Sequence, residues 1–154
     1  MLLQVVPYVY LGNRQTAYKS GMLQSFNITK IVNVGGGPSH FPHLFSYLEL
    51  DVKDDAASSV LSELDHTSDF IHASVQAEEG VVVHCMGGFS RSPTVICAYL
   101  IRYHGLSVEQ SLGVIRKVRP VANPNPNFLR ELKQYERQCR KKNQCFVTCC
   151  VYII

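Results

Sequence analysis

Apolar and polar positions along this chain switch repeatedly between the two-residue period of strands and the three-to-four-residue period of helices. Val5 to Leu11 reads as one strand, or as two short ones broken at Pro7. Thr16 to Ser25 reads as a short helix, weakened at Gly21. Lys30 to Val34 is apolar and β-branched, which predicts a buried strand, and Gly35-Gly36-Gly37-Pro38 breaks it. A glycine tract after a strand invites a nucleotide-loop reading. Pro38 argues against a helix opening there with free N–H groups, so the tract reads as a flexible connector. Phe45 to Val52 supplies a further strand, alternating from Tyr47 onward. Lys53 to Ser59 is a polar loop. Ser58 or Ser59 then caps a helix running to about Gln76, with Leu61, Leu64, Ile71 and Val75 near helical spacing.

Val81-Val82-Val83 is too continuous for a half-exposed strand and predicts the centre of a covered sheet. Three helices follow. The first runs from Pro93 to Tyr103 and is stopped by Gly105. The second opens with a capping box, Ser107-x-x-Gln110, and carries Val108, Leu112, Ile115 and Val118 along one stripe. After Pro120, Pro124 and Pro126, the third starts near Asn127 and runs through Phe128, Leu132 and Tyr135. Strands alternating with helices predict an α/β fold, a central, mostly parallel sheet flanked by helices. Ligands of such sheets sit at the carboxyl ends of the strands.

The stretch at that place is His84-Cys85-Met86-Gly87-Gly88-Phe89-Ser90-Arg91-Ser92. A loop entering a helix points free N–H groups inward, and the helix N-terminus adds partial positive charge, which makes an anion cradle. Cys85 stands at its floor. Arg91, returning from the helix start, can fork two phosphate oxygens. Helix N-termini and cationic neighbours lower a cysteine from about 8.5 to roughly 3.5–7.5, so Cys85 is expected to act as a thiolate nucleophile. Gly87 and Gly88 allow close ligand approach, Ser90 and Ser92 can donate within the loop, and Pro93 fits a first helical turn. The plain alternative, a cysteine serving as a small core hydrophobe, does not account for glycine, serine and arginine in consecutive slots.

With that stretch the chain resembles the cysteine-based dual-specificity protein phosphatases, in their small, atypical VH1-like branch. The resemblance rests on His84-Cys85-x-x-Gly88-x-Ser90-Arg91-Ser92. It extends over about residues 4 to 138, through Val9-Tyr10-Leu11-Gly12, Ala17, Leu23, Ile28 to Val34, Phe70-Ile71, Arg119-Pro120, Pro124-Asn125 and Phe128. It implies a phosphatase catalytic domain over residues 1–138, with Met86 to Arg91 holding phosphate. A cysteinyl-phosphate intermediate forms on Cys85, and Ser92 helps the sulfur leave. No metal or other cofactor is implied.

The leaving oxygen needs a proton. Asp51, Asp54 and Asp55 are the carboxylates of the loop before the first long helix. The resemblance places the acid in that loop, and matching Leu50-Asp51-Val52-Lys53-Asp54 to the family pattern selects Asp54. Spacing alone does not separate it from Asp55. His84 is turned from the pocket by strand alternation and is expected to support the loop. Asn125 matches a family asparagine that braces it. Two residues on, where the family usually has glycine, this chain has Asn127.

Composition narrows the substrate. The chain of 154 residues has 46% apolar and 18% charged residues, values of one globular domain. A net charge of +3 with scattered bases suits anionic substrates and gives no sign of nucleic-acid binding. Met86, Gly87 and Phe89 carry no charge, whereas phosphoinositide phosphatases of the superfamily have lysines in the loop. That favours a single phosphoryl group on a protein side chain, and the resemblance implies phosphoprotein partners bearing phosphotyrosine and phosphoserine or phosphothreonine. The alternatives are a phosphoinositide or RNA 5′-phosphatase, or a module that binds phosphoproteins without turnover. A reactive thiol needs a reducing compartment, and no secretory signal is read at Met1-Leu2-Leu3, so a cytoplasmic, and also nuclear, location is expected. Residues 139–154 read as a basic, cysteine-rich, apolar extension, disordered or strand-like. Palmitoylation of its cysteines would add a peripheral membrane contact.

Overall fold

The computed structural model describes the backbone of residues 1–151 and the side chains of residues 1–143. Five strands form one sheet in the order β1-β2-β5-β3-β4. They are β1 (Leu2–Val6), β2 (Val9–Gly12), β3 (Ile28–Val34), β4 (Ser46–Leu50) and β5 (Gly80–His84). Among the described residues only the β1–β2 pair is antiparallel; β5 lies parallel between β2 and β3, and β3 parallel to β4. The first apolar run is thus the two-strand alternative, turned at Pro7-Tyr8. The continuous apolar run is the central strand as expected, and every residue of β5 is buried.

Alternation along the strands divides the core in two. Val9, Leu11, Val32, Val34, Val81 and Val83 point to the larger side. There they meet α3 (Leu64–Gln76), α4 (Arg91–His104), α5 (Val108–Val118) and α6 (Pro126–Val151). On the opposite face Ile28, Ile31 and Val82 pack with Leu23 and Phe45 in a small second cluster. The helix expected over Thr16 to Ser25 is instead two short ones, α1 (Arg14–Ala17) and α2 (Ser20–Ser25). The break falls at Lys19, whose ψ of 68° leaves the helical region, while Gly21 sits inside α2.

Neither Ser58 nor Ser59 caps the next helix. The chain enters it through a 3-10 turn, Leu61–Glu63, without a side-chain cap from its own segment. The opening N–H groups of Val60 and Leu61 donate to the Glu131 carboxylate on α6, both at 2.8 Å. The capping box at Ser107 and Gln110 forms as read, and Gly105 ends α4 with φ 66°. No break in α6 marks the expected step at 138/139, and the backbone runs on as helix to Val151 rather than as strand or coil. The side chains of Cys145, Cys149 and Cys150, and with them the expected lipid attachment, lie outside the described residues. Cys85, Cys97 and Cys139 are free thiols.

Candidate active site

Cys85 leaves the end of the central strand, and six residues later Arg91 opens α4. The thiol is buried, with its residue 2% exposed. Two polar groups gather on the sulfur: the Gly88 N–H donates to Sγ at 3.3 Å, and the Ser92 hydroxyl shares a hydrogen bond with it at 3.2 Å.

The loop's shape is imposed from outside. Each carbonyl from Met86 to Phe89 accepts a hydrogen bond from beyond the loop. Arg14 N donates to Met86 O at 3.2 Å, and Asn123 N to Phe89 O at 2.6 Å. Arg119 donates through Nη2 to Gly87 O at 3.0 Å and through Nε to Gly88 O at 3.3 Å. A trans peptide sets its C=O and N–H on opposite sides. Turning four carbonyls outward therefore turns the N–H groups of Gly87 to Ser90 inward, and Gly88 N already meets the sulfur. Gly88 has φ 71°, and a Cβ there would lie 2.9 Å from Gly12 O. Met86 and Phe89 present exposed side chains at the rim, the Phe89 ring lying against Gly87.

Arg91 is held from the sheet side. Its Nη1 donates to Gly35 O at 3.0 Å and to Val52 O at 2.9 Å. One nitrogen is thus anchored, and the Nε/Nη2 edge of the fork is left for an anion. The glycine tract of residues 35–37, read above as a flexible connector, is the seat of this anchor. At Gly35 (φ 64°) a Cβ would lie 2.3 Å from Val52 O and 2.4 Å from Arg91 Nη1. At Gly36 it would lie 2.7 Å from the His84 ring. The tract is glycine because arginine and histidine occupy the space that side chains would need.

His84 is buried, with Nδ1 3.3 Å from Cys85 O, and burial pushes its imidazole toward the neutral form. Its ring lies beside Gly36.

The three loop carboxylates separate clearly. Asp54 Oδ1 accepts from the Ser90 hydroxyl at 2.7 Å and from Asn125 Nδ2 at 2.9 Å. Asn125 N donates in turn to Ser90 Oγ at 3.1 Å, and Asn125 Oδ1 caps α6 by accepting from Phe128 N at 2.9 Å. Asp55 turns into its own segment, where Oδ1 accepts from Ala57 N and Ser58 N. The hydrogen bond with Ser58 leads in holding its carboxyl below the usual range. Asp51 is exposed and lines a cleft with Asn33 and Glu49. Asp54 is therefore the carboxylate tied to the phosphate loop. The Ser90 side chain, expected on phosphate, is committed to Asp54.

The sequence reading missed Arg119 as a loop brace, Gly35 as the arginine's seat, and Asn127 and Glu131 as supports of the acid loop. Arg119 entered only as a flanking match, since no local spacing ties it to Gly87, 32 residues away.

The family described as the dual specificity phosphatase catalytic domain matches residues 9–138. A dual specificity protein phosphatase 1 of Arabidopsis thaliana is 35% identical over 140 residues, 90% of this chain and 70% of its own length. The human protein of that name is 32% identical over 88% of this chain, which spans only 37% of that relative. Human DUSP28 superposes with a TM-score of 0.85 at 33% identity, covering 90% of this chain and 95% of that one. A mouse putative dual specificity phosphatase complexed with zinc tungstate gives 0.88 at 31% identity, over 92% and 90%.

Proposed function

The chain belongs to the dual specificity phosphatase family, and on that premise we propose that it hydrolyses phosphotyrosine and phosphoserine or phosphothreonine on proteins through Cys85, Arg91, Asp54 and Ser92. The observation that carries this reading is the convergence of three segments on one loop. Sulfur lies at the floor, the guanidinium is anchored by one nitrogen, and the carboxylate of Asp54 is tied to the rim.

In the first step the Cys85 sulfur attacks phosphorus, and the ester P–O bond breaks as the S–P bond forms. Asp54, protonated, gives its proton to the leaving oxygen. In the second step water attacks the cysteinyl phosphate and gives a proton to Asp54, and the S–P bond breaks. The Ser92 hydroxyl, 3.2 Å from Sγ, stabilises the departing sulfur. Inward N–H groups and Arg91 hold the charge on the equatorial oxygens in both steps. Phosphoryl transfer draws most of its rate from such placed donors. The reducing compartment that the thiol needs is the cytosol or nucleus.

Met86, Gly87 and Phe89 add no cation to the mouth, which favours a single phosphoryl group over a polyphosphate head. The test is phosphate release from matched phosphotyrosine and phosphothreonine peptides and from phosphoinositide, with Cys85→Ser alongside. Turnover of both peptides, abolished by the substitution, is expected. Turnover of lipid alone would overturn the protein-substrate reading. Binding without turnover would make the domain a phosphoprotein reader.

A further inference from the structure

The segment bearing Asp54 is exposed from Lys53 to Ala57 and sits between β4 and α3. Exposed loops with little buried surface open at low cost, and a proton donor on one spends time out of place. Here the beginning of α6 grips the loop at successive points. Asn125 Nδ2 holds Asp54 and also reaches Asp55 O at 3.3 Å. Asn127 Nδ2 donates to Ser58 O at 2.6 Å. Glu131 Oε2 takes both Val60 N and Leu61 N, where the loop becomes helix. The two grips are joined, since Asn127 Nδ2 lies 3.4 Å from Glu131 Oε1. Arg130 Nη2 donates to Asn127 Oδ1 at 2.9 Å and so fixes which way the amide faces. A glycine at position 127 would have no side chain to reach Ser58.

We propose that Asn127 and Glu131 are positioning residues that hold the acid loop in its working place before substrate arrives. The inference rests on reading Asp54 as the general acid. It assigns to this chain a preset proton donor rather than one brought in by loop closure. The consequence appears in the leaving group. A strongly activated aryl phosphate departs without a proton, whereas a phenyl or alkyl phosphate needs one. Loosening the loop therefore penalises poor leaving groups selectively.

The experiment is kcat/KM over a series of aryl phosphates of rising leaving-group pKa, on the full chain. The variants are Asp54→Asn, Asn127→Gly and Glu131→Met, with circular dichroism confirming the fold of each. Asp54→Asn is expected to lose about 10²-fold on phenyl phosphate and little on dinitrophenyl phosphate. Asn127→Gly and Glu131→Met are expected to lose about tenfold on phenyl phosphate, with the activated ester within about twofold. Asn127→Gln, which keeps the donor, should recover part of the loss. A uniform loss across the series, or none, in both clamp variants while Asp54→Asn is selective would overturn the clamp alone. A flat response in Asp54→Asn would overturn the acid assignment and the clamp with it. If one variant fails to fold, the other decides the question.

Discussion

Gly35 has no side chain, yet it seats the arginine proposed to hold the phosphoryl group. Its carbonyl and that of Val52 hold one nitrogen of Arg91, and its missing Cβ is what lets the guanidinium lie there. Alanine at this position meets two costs. A left-handed conformation costs an L-residue about 1–2 kcal/mol. The added methyl also lies 2.4 Å from Arg91 Nη1 and 2.3 Å from Val52 O, so the arginine or the backbone must move. Displacing a donor from the reacting phosphoryl group costs on the order of 10²-fold in kcat. Gly35→Ala should therefore lower kcat by about that factor and also lower the urea midpoint. Steady-state kinetics and equilibrium unfolding of the same preparation check both. A normal kcat beside a lowered midpoint would show that the arginine keeps its place without the glycine.

At the scale of elements, the phosphate loop is a frame held by its neighbours. Arg119, beyond the end of α5, is the largest single brace, since it takes two successive carbonyls. Arg119→Met keeps much of the side chain's bulk and removes both bonds. It should weaken inhibition by inorganic phosphate and lower kcat/KM by about tenfold, since removing an aligned brace misdirects the amides. Unchanged phosphate inhibition would mean that the loop holds its shape unaided. These braces also mark the limit of what the sequence discloses. Val81-Val82-Val83, Gly105 and the Ser107–Gln110 box were legible because apolar runs, left-handed stops and capping bonds act between near neighbours. Cys85 and Arg91 were legible because one loop carries both. The cap on Val60 and Leu61 was not, because its carboxylate comes from Glu131, 70 residues away, so Ser58 and Ser59 were credited instead. The glycine tract was misread for the same reason. Its meaning lies in an arginine 56 residues on, and glycine alone does not distinguish freedom from lack of room.

For the whole molecule, the sheet separates a core that carries the site from one that does not. Phe128 is fully buried on the larger side. Its N–H donates to Asn125 Oδ1, and the Asn125 amide holds Asp54, so the packing of α6 reaches the proposed acid. Ile31 is equally buried but faces the small cluster with Leu23, Ile28, Phe45 and Val82, away from the helices that build the site. Truncations at the two positions carry similar stability costs, roughly 2–5 kcal/mol for Ile31→Ala and 3–5 kcal/mol for Phe128→Ala. Small domains hold only about 5–15 kcal/mol in all, so both variants are to be assayed cold, with kcat corrected for the folded fraction. If activity depended on overall stability alone, the two corrected values would agree. The divided core predicts otherwise. Ile31→Ala should keep kcat within about twofold, because its cavity opens among Leu23, Ile28 and Phe45 and leaves the helix side of the sheet packed. Phe128→Ala should lose about tenfold on a poor leaving group, because the cavity under α6 releases the asparagine that aims the carboxylate. Equal losses in both would mean that the sheet transmits disturbance from its far face to the phosphate loop.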